Sequence, residues 1–236
     1  NILLGFYNMS IPLTDLGRRQ EAVAAFSKFL SPWDGHIKNG DTDQVIQQYN
    51  DLASSYDVNS LHQTWGPQML AFSSNYLVLS PGDRFLDLGC GTGSVGKALC
   101  GFGKYQIIGI DLSSNMLEIA KRTSAYEELI HGDLEECLKK QTGQFNAIFA
   151  SCALYHIPDL EPIVRECGRL LVPGGYFFFS TDPATDDYTI AKACENEYAH
   201  SRKYLRSIAE RCSFTTNDIQ IATHRRYPGF WCAFGL

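Results

Sequence analysis

The sequence predicts an α/β fold, a mostly parallel sheet covered by helices, on three observations. From about residue 84 onward, short β-rich runs alternate with helical patterns, which implies right-handed crossovers and parallel pairing. The runs "AIFA" (147–150) and "YFFF" (176–179) are apolar throughout, as strands covered on both faces are. The stretch "FLDLGCGTGSVG" (85–96) ends a strand and opens a helix through four glycines, so the backbone turns sharply there and leaves room for a ligand.

The elements follow in order. "RFLDLG" precedes a helix through "SVGKALC"; "QIIGID" precedes "SSNMLEIAKRT"; "ELIHGD" precedes "LEECLKK"; "FNAIFAS" precedes "LEPIVRECGRLL"; and "GYFFFS" closes the series. "YAHSRKYLRSIAERC" (198–212) reads as a helix with Tyr204, Leu205, Ile208 and Ala209 on its apolar face. "DIQIATHRRYPGFWCAFGL" reads as two strands joined around Pro228-Gly229, giving the sheet an antiparallel end.

The first 80 residues differ. "LGRRQEAVAAFSKFLSP" (16–32) has Gly17, Ala22, Phe26, Phe29 and a terminating Pro32, near the spacing of the second helix of a tetratricopeptide repeat. One helix cannot bury its own stripe, so it either stacks on upstream repeats or packs on the domain. "WDGHIKNGDTD" (33–43) is a linker candidate, and "QVIQQYNDLASSYD" is a helix with Tyr49 and Tyr56 on one face. The expected division is a repeat-like remnant at 1–32, linker and cap helices at 33–80, and the α/β domain at 81–236. Beginning at Asn1 without Met, the chain is expected to be a piece of a longer protein.

Composition narrows the function classes. A net charge of -6 offers no general attraction to a phosphate backbone, so nucleic acid is not an expected partner. No apolar run approaches the roughly 20 residues that span a bilayer, so no membrane is expected either. The eight cysteines form no CxxC pair, and the expectation is reduced thiols in a cytoplasmic protein. His36, His62, His131 and His224 have no partners at metal spacing, so no metal is expected.

Two nucleotide patterns overlap at the glycines. Gly91, Gly93 and Gly96 satisfy G-x-G-x-x-G with Asp111 at a following strand end, the pattern of a dinucleotide site. Residues 87–93 equally satisfy D-x-G-x-G-x-G. Asp87 tips the balance, because a carboxylate at a strand's carboxyl end suits a cationic head group and repels a pyrophosphate.

"FLDLGCGTGSVG", "IIGIDLSSNMLEIAK", "IHGDLEE", "FNAIFASCALYHIPDL" and "LLVPGGYFFFS" together resemble a class I S-adenosylmethionine-dependent methyltransferase, over residues 49–236. "YNDLASSYD", "LEPIVRECGRLLVPGG" and "YAHSRKYL" further resemble predicted methyltransferases that carry tetratricopeptide repeats upstream. The resemblance implies a Rossmann-like three-layer sandwich with a seven-stranded sheet, an antiparallel last strand, and added N-terminal helices. It implies that Asp87 lies near the methionyl amino group, with Gly89, Cys90 and Gly91 lining the methionine portion and ribose. Asp111 would accept both ribose hydroxyls, Leu112 and Met116 would sandwich the adenine, and Asp133 and Leu134 would meet its edge. Tyr49 and Tyr56 would form a lid, and Ser151 would close the cofactor site at the end of the fourth strand.

Tyr155 and His156 should then face the transferred methyl, His156 as general base or as a positioning group, with His200 in "YAHS" the second catalytic candidate. Trp65, before Gly66-Pro67, is expected to reach the substrate pocket. The loop "DPATDDY" is expected to bring Asp182, Asp186, Asp187 and Tyr188 to its mouth. The expected activity is methyl transfer to an oxygen or nitrogen of a small-molecule acceptor, a protein acceptor being the alternative, and the N-terminal helices are a candidate surface for a protein partner. The alternatives are a nicotinamide-dependent oxidoreductase and a non-catalytic cofactor-binding interaction protein; Asp87 discriminates the first of these.

Overall fold

A computed structural model describes residues 16–33, 35, 42–225 and 227–236. The stretch 1–15 and most of the expected linker lie outside the described residues. Helix α1 (Leu16–Ser27) is followed by a two-residue strand β1 (Ser31–Pro32), then α2 (Thr42–Tyr56) and α3 (Ser60–Ser73). The alternating core is β2 (Arg84–Leu88), α4 (Ser94–Cys100), β3 (Gln106–Asp111), α5 (Ser114–Arg122), β4 (Glu128–His131), α6 (Leu134–Lys140), β5 (Phe145–Ala150), a 3-10 turn (Leu154–His156) and α7 (Glu161–Leu170). It ends with β6 (Leu171–Ala184), β7 (Ile190–Cys194), β8 (Glu197–Ser201), α8 (Arg202–Arg211), β9 (Thr216–His224) and β10 (Tyr227–Gly235).

Strands β4, β3, β2, β5 and β6 pair in that order, all parallel. Strand β10 then runs antiparallel beside residues 176–181 of β6, and β9 covers β10. Period-two alternation sorts the strands' side chains into two cores. Phe85, Ile107, Ala147, Phe149 and Phe178 face α3 and α4, where Met69, Leu70, Val95 and Leu99 meet them. Leu86, Leu88, Ile110, Ile148, Phe177 and Phe179 face the other way, against Leu138 of α6, Val164 and Leu170 of α7, and Leu205 and Ile208 of α8. The three-layer expectation holds, since the central strands β2, β3, β5 and β6 bury both faces.

The structure departs from the sequence reading at four places. Residues "EYAHS" form β8 and not the start of a helix, because Ser201 is the N-cap, its Oγ accepting from the Tyr204 amide at 3.2 Å. The apolar helical period begins only at Tyr204. In the final hairpin His224 pairs with Tyr227, so the strands begin pairing before Pro228-Gly229, and Pro228 lies inside β10, ahead of the residues that pair with β6. The stretch after the fifth strand is not a loop at 182: β6 runs on to Ala184, and 182–184 pair parallel with β8. Among the described residues the sheet therefore has ten strands rather than seven, with β8, β7 and β1 extending it beside β6.

Helix α1 packs on the domain. Ala22, Val23 and Phe26 are buried, Arg19 donates through Nη1 to the Ile221 carbonyl at 2.9 Å, and the Thr185 amide donates to Ser27 Oγ at 3.0 Å. Among the described residues no helix is long and apolar enough to cross a membrane.

Helices α3 and α4 meet at their closest point where Gly66 faces Ser94, whose Oγ accepts from the Gly66 amide at 3.1 Å. A Cβ built on Gly66 would lie 2.3 Å from the Ser94 carbonyl oxygen. Gly→Ala inside a helix ordinarily gains up to about 1 kcal/mol. At this position we predict the opposite sign: Gly66→Ala destabilises the fold by about 1–3 kcal/mol through overpacking, read as a lower urea midpoint at unchanged slope.

Candidate active site

An open cleft of about 1280 Å³ lies at the carboxyl ends of β2, β3 and β5, the place where a parallel sheet presents its loops. Of the residues singled out in the sequence, Tyr49, Tyr56, Trp65, Asp87, Gly89, Cys90, Gly91, Asp111, Leu112, Met116, Asp133, Leu134, Ser151 and His156 line it. The wall is local in origin. Three strand-to-helix turns, after β2, β3 and β4, come side by side because their strands are parallel neighbours.

Asp111 is held by its own neighbours. Its Oδ2 accepts from the Gly91 amide and its Oδ1 from the Ser113 amide, both at 2.8 Å, which fixes the carboxylate across the glycine turn. Burial raises its pKa, and the Ser113 and Gly91 amides oppose the rise. It is not a helix cap; Ser113 is, accepting from the Met116 amide at 3.2 Å. Asp133 caps α6 by accepting from the Glu136 amide at 3.1 Å and lines the cleft as well.

Asp87 is only 1% exposed. Its Oδ2 accepts from the Tyr126 hydroxyl at 2.7 Å, and Tyr126 Oη in turn accepts from the Gly96 amide at 3.2 Å. Its Oδ1 is buried with no hydrogen-bond partner. Burial pushes the carboxyl up to about 7, against the Tyr126 hydrogen bond. A buried carboxylate with a free oxygen facing a cleft calls for a cation.

The other end of the cleft is aromatic. His62 lies between Tyr56 and Trp65, with ring centroids 4.1 and 4.6 Å away. Tyr49 Oη lies 2.9 Å from His156 Nε2 and 2.7 Å from Tyr155 Oη. His156 Nδ1 lies 2.8 Å from the Asn196 carbonyl, which only accepts, so the neutral ring carries its proton on Nδ1. Its Nε2 therefore accepts from Tyr49, and Tyr155 donates to Tyr49. Burial lowers the His156 pKa, which keeps the ring neutral, and burial pushes Tyr49 up to about 12.

Four sequence expectations are corrected here. His200 is fully buried in β8, with Nδ1 2.6 Å from Thr181 Oγ1 and Nε2 2.9 Å from the Pro158 carbonyl, and it does not line the cleft. Burial lowers its pKa to about 4, so it is a neutral structural group tying β8 to the turn before α7. Tyr188 packs beside Phe26 and Leu30 and donates to the Leu30 carbonyl at 3.2 Å, away from the cleft. Tyr155 sits behind the cleft wall, 4% exposed, against Tyr49 and His156. The acids expected at the mouth are spent elsewhere: Asp182 is buried in β6 beside His224, Asp186 accepts from the Lys203 amide, and Asp187 from Thr185 Oγ1.

Sequence reasoning missed the residues that clamp α2 over the turns. Asn50 Oδ1 accepts from Ser113 Oγ at 2.7 Å, and Asp57 Oδ1 accepts from Thr92 Oγ1 at 2.8 Å. Asn50 and Asp57 both lie in the quoted "YNDLASSYD", so their signal was present; Tyr126 belongs to no quoted stretch.

Comparison with known proteins agrees with this geometry. Residues 86–179 match the family model described as "Methyltransferase domain". Residues 86–179 are thus similar to a methyltransferase domain, and the fold is that of class I S-adenosylmethionine-dependent methyltransferases. A ubiquinone biosynthesis O-methyltransferase of Xanthomonas oryzae pv. oryzae is 37% identical over 120 residues, 49% of each chain. The enzyme of the same name from Albidiferax ferrireducens is 32% identical over 149 residues, 58% of this chain and 57% of that one. This chain thus spans about half the length of the curated relatives it matches. Among solved structures, magnesium protoporphyrin IX methyltransferase from Synechocystis PCC 6803 with bound S-adenosylmethionine superposes with a TM-score of 0.62 at 18% identity, covering 83% of this chain and 96% of that one. A [4+2]-cyclase superposes with a TM-score of 0.64 at 18% identity, covering 84% of this chain and 97% of that one, so the methyltransferase domain's fold alone does not name a reaction.

The state of Asp87 generates a pH prediction. Its folded pKa, about 7, lies above the ordinary carboxyl value, so the ligand-free protein loses stability as pH rises through 7. An ammonium ligand needs the ionised form. S-adenosylhomocysteine affinity should therefore rise about tenfold or more between pH 5.5 and 7.5, and Asp87→Asn should flatten that rise; an equally steep rise in the variant would assign the titration to another group.

Proposed function

We propose that the cleft binds S-adenosylmethionine and that the protein transfers its methyl group to an oxygen or nitrogen of a small-molecule acceptor. The observation that carries this reading is Asp87 Oδ1, a buried carboxylate oxygen without a partner on a residue that lines the cleft. A pyrophosphate in its place would be repelled, which disfavours the nicotinamide reading. The methionyl ammonium supplies the missing charge. Asp111 is suited to the ribose hydroxyls, since amides already orient its carboxylate and lone pairs remain on both oxygens. Leu112 and Met116 suit the faces of the adenine and Asp133 and Leu134 its edge, while Gly89, Cys90 and Gly91 leave space for the chain between.

When bound, the cofactor supplies a methyl group on an activated sulfonium. What this chain adds is position and a path for a proton. Tyr49 and His156 both line the cleft, the Tyr49 hydroxyl proton already directed at Nε2. An acceptor hydroxyl approaching Tyr49 passes its proton to the Tyr49 oxygen as the Tyr49 proton moves to His156. Tyr155 and the Asn196 carbonyl hold this relay in place as positioning groups. The rings of Tyr56, His62 and Trp65 favour a flat, largely apolar acceptor, in keeping with the O-methyl transfer named for the curated relatives.

The deciding experiment is calorimetric titration of the dialysed protein with S-adenosylhomocysteine, NAD and NADP. We expect binding of the first alone; binding of a nicotinamide cofactor alone would overturn the reading. Asp111→Ala should weaken S-adenosylhomocysteine binding at least about tenfold, ~1.4 kcal/mol, and unchanged affinity would refute the ribose assignment.

A further inference from the structure

Directly after β5, Cys152 adopts a left-handed backbone (φ 55°) and its amide donates to Ser180 Oγ at 3.0 Å, which places its sulfur in the wall of the cleft. Behind it stands a group that the proposed methyl transfer does not use. His224, the last residue of β9, has Nδ1 3.6 Å from Cys152 Sγ and Nε2 2.9 Å from Asp182 Oδ1. His224 and Asp182 are fully buried, so solvent screens neither charge. Three strand ends, far apart in sequence, converge on one sulfur.

The order of the groups is that of an activated nucleophile: thiol, imidazole, carboxylate. Burial by itself lowers the His224 pKa, but the contacts with Cys152 and Asp182 outweigh it and raise the value to about 9. The ring then stands between the Cys152 sulfur on Nδ1 and the Asp182 carboxylate on Nε2. Arg225 adds to the field from the far side, its Nη1 3.6 Å from Asp182 Oδ2 and its guanidinium 4.1 Å over the Tyr155 ring. The other buried thiols contrast with this. Cys90, Cys167 and Cys232 are pushed well above the ordinary thiol value by burial, the chemistry of inert core cysteines.

We propose that Cys152, His224 and Asp182 form a nucleophilic thiol site in the wall of the cleft, a modification site for small hydroperoxides. The thiolate attacks the terminal peroxide oxygen and forms an S–O bond as the O–O bond breaks. Sulfur is oxidised to the sulfenic acid, the peroxide is reduced to an alcohol or water, and the departing alkoxide or hydroxide takes up the proton released by His224, through solvent in the open cleft. The site does not depend on the cofactor reading, and its test uses neither cofactor nor methyl acceptor.

The test treats the full chain with hydrogen peroxide and dimedone at pH 7 and follows the adduct on each cysteine peptide by mass spectrometry. Although only 7% exposed, Cys152 should react at least about tenfold faster than the exposed Cys100 and Cys194. His224→Gln and Asp182→Asn should each slow Cys152 about tenfold while leaving Cys100 unchanged. Because either variant may fail to fold, the wild-type chain unfolded in urea is the second measurement: the advantage of Cys152 over Cys100 should vanish there. A Cys152 that reacts no faster than Cys100 in the folded chain, or faster once unfolded, would overturn the proposal, as would a folded His224→Gln protein with the wild-type rate.

Discussion

Keeping the carboxylate of Asp87 buried at the end of a central strand is the constraint around which the site is arranged. An isolated buried carboxylate costs several kcal/mol, so the fold must offer it partners or a ligand must. The fold offers one, the Tyr126 hydroxyl, and fits that ring between the glycine turn and β3. A Cβ on Gly96 would lie 2.5 Å from the Tyr126 ring, so the glycine that completes the G-x-G-x-x-G pattern here admits a tyrosine rather than a phosphate. The Gly96 amide then donates to Tyr126, and helix α4 is pinned to Asp87 through that hydroxyl. The remaining oxygen is left for a cation, which is why one carboxylate separates two readings that the glycines alone leave equal.

The cleft has two halves of different origin. The cofactor half consists of three strand-to-helix turns, each a few residues long, aligned by parallel pairing of β2, β3 and β4. The acceptor half is assembled from distant segments: Tyr49 meets Tyr155 and His156 across more than 100 residues, and Cys152 meets His224 across 72. The first half follows from local backbone requirements and is widely shared among proteins of this fold. The second depends on which helices precede the sheet and which strands follow it, so differences in acceptor belong there.

That division also explains what was legible in the sequence. Asp87, Asp111 and Asp133 were found because each stands at a strand end next to a glycine turn or a helix start, and short-range chemistry marks such places. The three-layer sandwich was legible for the same reason, through apolar runs such as Phe177–Phe179. His200 was misplaced because "YAHS" carries apolar residues compatible with either period, and only pairing with β6 and β7 makes it a strand. Turn propensity points to Pro228-Gly229 as the hairpin turn, but the register pairs both of those residues with β9 inside the strands, opposite Thr223 and Ala222. The environments of Asp182 and His224 were illegible: one looked like a loop acid and the other like an isolated histidine, and nothing within ten residues of either signals their contact.

Helix α2 joins the two halves. Asn50 receives the hydroxyl of Ser113, the N-cap of the helix that carries Met116 into the cleft; Asp57 receives Thr92 from the glycine turn and the Lys97 ammonium at 3.4 Å; and Tyr49, on the same helix, holds His156. Each of these contacts is a single polar interaction, and the Asp57–Lys97 pair is partly exposed and worth little alone. Their collective effect is linkage. A ligand that orders the turns at 87–93 and 111–116 favours the position of α2 held by these contacts, and the same position sets the Tyr49 hydroxyl against His156. The proton relay is thus complete only when the helix that covers the cofactor half is in place, so filling one half of the cleft prepares the other.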